Sequence, residues 1–218
     1  MLEVLGEFVW LFVGCFGIPV GRYGSKYLSY YLKKRGWRES VPMLVSPFPE
    51  LTNGMLWGIS AILCDGLPEI ILSCVLLSVL YGIAVTDHCI YEIPARLNGI
   101  IACLGVVRIL TDAQNLYSYV LGGVFAGGLL LLVYLVTGRR GIGGGDIKLM
   151  AASGLFLGSS WVLYALFFGC VLAVAVELPR KVFGKRNSTF AFGPYLALGI
   201  GAMVWFGDKI LQWEYLLG

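Results

Sequence analysis

The sequence predicts an all-α fold, a polytopic membrane bundle of about eight transmembrane helices with both termini outside. Of the 218 residues, 58% are hydrophobic and only 13% are charged, whereas a soluble domain is usually about a quarter charged. Apolar runs recur along the chain, and the basic residues between them occupy alternate segments. The length suits one integral membrane domain over 1–218. A net charge of +3 is too small to indicate nucleic acid as a partner.

The apolar runs define the predicted spans, because a helix needs about 20 apolar residues to cross a bilayer. Clear runs lie at 4–20, 70–86, 117–137, 160–178 and 190–207. Shorter or weaker runs lie at 51–64, 98–111 and 147–159. The first run lacks the basic start and the small-residue cleavage site of a signal peptide, so we expect it to be a true span.

The basic residues predict the orientation of these spans. Four alternate segments hold 14 of the 16 Lys and Arg residues, namely 21–50, 87–97, 138–148 and 179–189. The intervening segments 65–69 and 111–115 carry acids and no Lys or Arg. Because basic loops stay on the cytoplasmic side, the four segments are predicted to be cytoplasmic. The pattern indicates a multi-pass protein of the inner (plasma) membrane.

Glycine pairs within the spans predict close helix packing. Gly123 and Gly127, and likewise Gly154 and Gly158, are four residues apart. Such spacing lets two helix backbones approach closely, which matters in a bilayer because the hydrophobic effect does not drive helices together there. We expect packing within the chain, with dimerisation as the alternative. The sequence does not determine the oligomeric state.

Cysteine and histidine usage gives no indication of a metal centre or another cofactor. None of the six cysteines forms a CxxC pair, and most lie in apolar runs, so we expect small buried residues between helices. The basic segment 21–50 contains no cysteine. His88 is the only histidine, which excludes zinc chemistry of the HExxH type.

Two acids at the ends of predicted spans are the candidate catalytic residues. Asp87 ends the span 70–86 and Asp146 opens the span 147–159, so both can lie at one cytoplasmic depth although 59 residues separate them. The glycines at 143–145 leave room for an extended peptide beside Asp146. Two nearby carboxyl groups share a proton and activate water, which is what an aspartic protease requires.

Other interpretations of these residues exist. Each acid alone could be a helix cap or an interfacial charge. The pair could relay protons or bind a cation in a transporter, or belong to a non-enzymatic assembly factor. A serine protease built on Ser153 would need His88 as its partner. His88, as the neighbour of Asp87, is expected to point elsewhere on the helix.

Four motifs resemble those of the type IV prepilin peptidase family. TDHCIYEIPARLN at 86–98 resembles the first aspartate motif, and GIGGGDIKLMAASGLFLG at 141–158 resembles the second, with its Gly-x-Gly-Asp. PFPELTNGMLWG at 47–58 and TFAFGPYLALG at 189–199 are similar to two further family segments.

The resemblance implies a membrane aspartic endopeptidase that removes the leader of prepilins or pseudopilins at the cytoplasmic face, in type IV pilus assembly or protein secretion. Asp87 and Asp146 carry over as the catalytic pair. The supporting or substrate-binding positions are Gly143, Gly145, Lys148 and Glu50. Lys148 either biases the acids electrostatically or anchors its span at the interface. The implied partners are the substrate and membrane lipid.

One departure from the family pattern concerns methylation. Many members have a longer first cytoplasmic loop whose two CxxC pairs hold zinc and are linked to N-methylation of the new pilin terminus. Segment 21–50 has no such pairs. We therefore expect a peptidase-only enzyme. The archaeal preflagellin peptidases also use a pair of aspartates and are the alternative family.

Overall fold

The computed structural model describes residues 9–138, 141–183 and 190–217. This part of the chain is helical and contains no strand, which confirms the predicted all-α class. The helices are α1 (Val9–Lys34), α2 (Phe48–Leu63), α3 (Leu67–Ile90), α4 (Ala95–Thr111), α5 (Leu116–Val136), α6 (Gly144–Val182) and α7 (Gly193–Leu217). Short 3-10 turns lie at Pro42–Leu44 and Ala113–Asn115.

Three helical segments of the described chain are long and apolar enough to cross a membrane, namely Leu67–Ile90, Ala113–Val136 and Gly144–Val182. The apolar segment Gly193–Gly207 is shorter. A total of eight spans and the outside location of the termini stay predictions. Residues 1–8, 139–140 and 184–189, which include the start of the first predicted span and parts of two basic segments, lie outside the described residues.

The predicted spans 147–159 and 160–178 fall within one helical element, α6. Its 39 residues would extend about 58 Å as a straight helix, roughly twice the hydrocarbon thickness of a bilayer. Gly158 interrupts it with φ 83° and ψ 174°, a conformation that residues with a Cβ rarely adopt. The N–H of the following Ser159 donates to Ser118 Oγ at 3.2 Å. α6 therefore consists of two helical segments, 144–157 and 159–182.

The chain forms two compact units, Met1–Ile90 and Tyr91–Gly218. In the first unit, α1 and α2 run antiparallel with their backbones in contact. A Cβ added to Gly17 would lie 2.7 Å from the carbonyl oxygen of Asn53. Ser78 of α3 donates to Asn53 Oδ1 at 2.6 Å and accepts from Trp57 Nε1 at 2.9 Å. These partly buried polar contacts join α2 to α3.

The segment between α1 and α2 folds onto the carboxyl end of α3. Leu32, Val85 and Cys89 form a buried cluster. Partly buried side chains pack against it, namely Trp37, Val41, Leu44, Tyr81 and Ile90. The last two turns of α3, which carry Asp87, are thus held by the residues that follow α1. Because α1 continues to Lys34, the predicted basic loop 21–50 begins as helix.

In the second unit, small residues bring α5 and the first segment of α6 together. A Cβ on Gly122 would lie 2.6 Å from the carbonyl oxygen of Gly154, and one on Gly127 would lie 2.8 Å from Ala151 Cβ. The predicted intrachain packing of the span glycines is therefore confirmed. α7 packs antiparallel on the second segment of α6, where Tyr195 donates to Glu177 Oε1 at 2.6 Å.

The expectation that the cysteines are buried between helices is wrong for half of them. Cys15, Cys103 and Cys170 are exposed, Cys64 is intermediate, and only Cys74 and Cys89 are buried. The lipid-facing surface of a membrane helix is as apolar as its packed face. An apolar run therefore does not tell which of its residues point inward.

Candidate active site

Asp146 lies in the first turn of α6, directly after the three glycines of the second motif. Its Oδ2 atom accepts a hydrogen bond from the backbone N–H of Gly143 at 3.1 Å. The N–H of Asp146 donates in turn to the Gly143 carbonyl at 3.1 Å. Because glycine has no side-chain acceptor, only the carboxylate half of a capping box is present. The residue is 7% exposed, so the start of α6 holds a buried carboxylate in a defined orientation.

The three glycines before Asp146 have different steric surroundings. A Cβ on Gly143 would lie 3.1 Å from Asp146 Oδ2, and one on Gly145 would lie 3.0 Å from Ile93 Cβ. A Cβ on Gly144 would meet no atom of the described residues within 4 Å. The first and third positions are thus crowded, whereas the middle position is open. This contrast gives a physical reason for the spacing Gly-x-Gly-Asp.

The end of the first motif contacts the second motif at Gly145. Ile93 packs against this glycine. Asn98, in the first turn of α4, donates from Nδ2 to the Gly145 carbonyl at 3.2 Å across 47 residues of sequence. Both contacting residues are buried. Residue type and spacing alone do not predict these contacts; their signal in the sequence is that both residues lie within the motif TDHCIYEIPARLN.

Asp87 lies in the last turn of α3 and is 6% exposed. Val85 and Cys89 belong to the buried cluster with Leu32, so they mark the packed face of α3. Since successive helix residues are about 100° apart, Asp87 points away from that face. His88 is exposed, so it and Asp87 point in different directions, as predicted.

The two remaining candidates differ in burial. Glu50 lies in the first turn of α2 and is 7% exposed, and its buried Oε2 atom has no hydrogen-bond partner among the residues that the structure describes. Lys148 is exposed on α6. Asp87 and Glu50 belong to the first unit, and the candidates from Gly143 to Lys148 belong to the second. Among the described residues, no group of three or more His, Cys, Asp or Glu is placed to hold a metal ion.

Comparison with known proteins identifies the family. Residues 74–178 match the model of the Type IV leader peptidase family. A prepilin leader peptidase/N-methyltransferase of Bacillus subtilis (strain 168) is 30% identical over 169 residues, which cover 76% of this chain and 68% of the relative. The chain belongs to the type IV leader peptidase family. The family match spans α3 from Cys74, the contact at Gly145 and most of α6.

Two further relatives of this family carry the same name. The prepilin leader peptidase/N-methyltransferase of Escherichia coli (strain K12) is 27% identical over 196 residues, covering 79% of this chain and 78% of the relative. The prepilin leader peptidase/N-methyltransferase of Neisseria gonorrhoeae is 31% identical over 196 residues, which cover 83% of this chain and 65% of the relative. No solved structure gives a significant match. Family membership and the membrane-length apolar helices indicate a protease of the inner membrane.

Proposed function

We propose that this type IV leader peptidase family member cleaves the leader of prepilins or pseudopilins as an aspartic endopeptidase at the cytoplasmic membrane face. The substrate class comes from the names of its relatives. The observation that carries the catalytic assignment is the contact of Ile93 and Asn98 with Gly145. This contact brings the end of the Asp87 motif to the residue that precedes Asp146.

In the proposed mechanism, Asp87 and Asp146 act together on one peptide bond. One carboxylate removes a proton from a water molecule, and the water oxygen attacks the scissile carbonyl carbon. The other carboxyl group donates its proton to the carbonyl oxygen. Collapse of the tetrahedral intermediate breaks the C–N bond, and the departing amine takes a proton from the pair. The two groups titrate as a unit, so neither acid has a separately assigned role.

Co-expression with a prepilin tests the catalytic pair. The wild type should release the leader, whereas Asp87→Asn and Asp146→Asn should each abolish cleavage at unchanged membrane levels, because an amide cannot exchange a proton as a carboxyl group does. Asp65→Asn is the matched control, since Asp65 is exposed between α2 and α3. Retained cleavage in either active-site variant would falsify the two-aspartate model.

The same experiment tests the proposal that the enzyme is only a peptidase. The relatives are named as N-methyltransferases as well, but segment 21–50 contains no cysteine that could hold zinc. We expect the mature pilin to carry an unmodified terminal amine. A mass increase of one methyl group that depends on this protein would contradict the proposal.

A further inference from the structure

Asn98 has a buried acceptor atom that the fold does not use. The side chain is 5% exposed, and its Nδ2 atom donates to the Gly145 carbonyl at 3.2 Å. A carbonyl can only accept, so this contact sets the amide orientation and turns Oδ1 away from Gly145. Oδ1 is buried and has no hydrogen-bond partner within the described part of the chain. Folded proteins rarely leave such an acceptor unpaired, so an unpaired one next to a candidate catalytic turn points to a ligand.

The surroundings of Asn98 indicate the kind of ligand. An amide oxygen is a neutral acceptor, so it pairs with an N–H or O–H group and gives no preference for a charged side chain. Gly144, which precedes the residue that Asn98 contacts, has no described atom within 4 Å of its Cβ position. A peptide backbone fits beside glycines, where no side chain blocks its approach. The N–H of a peptide is the donor that every substrate of a peptidase supplies.

We propose that Asn98 is a substrate-binding residue whose Oδ1 accepts a hydrogen bond from a backbone N–H next to the scissile bond. Its Nδ2 stays on the Gly145 carbonyl. One amide group thereby connects the substrate backbone to the residue that precedes Asp146 and sets the register of the peptide relative to that carboxylate. The proposal rests on the proposed function, because it takes Asp146 as catalytic.

A double-mutant cycle between Asn98 and the substrate backbone tests this assignment. The probe is a synthetic peptide that spans the leader junction of a prepilin that the wild type cleaves. In separate peptides, an ester replaces one backbone N–H on either side of the scissile bond, and the scissile bond itself is kept as an amide. A peptide with its ester far from the junction is the control substrate. The proteins are the full-length wild type and Asn98→Leu, which has a similar shape but neither donor nor acceptor.

At one ester position, kcat/KM of the wild type should fall about 2- to 12-fold, the range expected for one hydrogen bond. Asn98→Leu should cleave the all-amide peptide less well and lose nothing further with that ester, because the partner is already absent. The control ester should have no effect in either protein. Equal losses in both proteins at every position, or a wild type insensitive to every ester, would overturn the proposal.

Separate controls distinguish a folding defect of the variant and a failure of the proposed function from a failure of this proposal. If Asn98→Leu does not reach normal membrane levels, Asn98→Ala, which also lacks a donor and an acceptor, replaces it in the cycle. The ester series on the wild type still decides whether any backbone N–H is bound. Loss of cleavage in Asp146→Asn together with additive Asn98 effects would overturn this proposal and leave the proposed function intact. A wild type that cleaves no prepilin would overturn both.

Discussion

Alanine at Gly145 should damage the enzyme, whereas alanine at Gly144 should not. Both residues lie in the first turn of α6, and replacing glycine by alanine favours a helix by about 0.5–1 kcal/mol at either position. The difference between the variants therefore isolates steric crowding. At Gly145 the new Cβ would lie 3.0 Å from Ile93 Cβ, whereas at Gly144 no atom in the described chain lies within 4 Å of it.

The size of the effect follows from this contact. Overpacking of a buried site lowers the free energy of unfolding by about 1–3 kcal/mol. The Tm of Gly145→Ala should therefore be about 2–12 °C below that of Gly144→Ala. Relieving the contact from 3.0 Å to an ordinary 3.4 Å requires a shift of 0.4 Å. If a displacement of 1 Å costs about 100-fold in rate, this shift next to Asp146 costs about 6-fold.

The assay measures the Tm in detergent and the rate of prepilin cleavage for both variants. Ile93→Gly in the Gly145→Ala background should restore part of the rate, because it removes the Ile93 Cβ that would lie 3.0 Å from the new Cβ. Equal behaviour of the two alanine variants, or a Gly145→Ala enzyme with wild-type rate and Tm, would refute the reasoning.

Two further predictions concern Ser153 and Asp112. Ser153 is fully buried and its Oγ has no hydrogen-bond partner in the described segments, so Ser153→Ala should keep wild-type cleavage and stability. A loss of cleavage at normal protein level would instead support a serine nucleophile. Hydrogen bonds from Asn115 and Tyr119 lower the pKa of Asp112. The stability that Asp112 contributes is therefore present above its unfolded-state pKa of about 3.9 and is lost as the pH falls through its lower folded-state pKa. Asp112→Asn should remove that part of the acid dependence of Tm, and an identical pH dependence in both proteins would show that the contacts contribute nothing.

Composition and apolar runs were sufficient to predict the helical class, because a segment in lipid must satisfy its backbone hydrogen bonds internally. The runs at 51–64 and 98–111 correspond to α2 and α4, although each was short for a span. The runs 147–159 and 160–178 were separated correctly as two helical segments. The physical reason for the separation, the positive φ of Gly158, is visible only in the structure.

The parts of the candidate site that could be predicted are those that depend on residues close together in the sequence. A carboxylate directly after three glycines marks Asp146, and both acids are buried, while their catalytic role stays a proposal. The different roles of the glycines were not predictable. Gly143 is crowded by Asp146, three positions later, whereas the crowding at Gly145 depends on Ile93, which lies 52 positions earlier in the chain.

The sequence by itself determined that this protein is helical, apolar enough for a membrane and equipped with the motifs of a leader peptidase, because these properties depend on residue type and short-range spacing. Only the tertiary structure decided that Ile93 packs against Gly145 and that Asn98 donates a hydrogen bond to its carbonyl. It also decided that Gly122 contacts Gly154 and that three cysteines point outward. Such contacts depend on the rotation and approach of whole helices. Helix packing sets both, and in an apolar sequence the inward and outward faces have nearly the same composition.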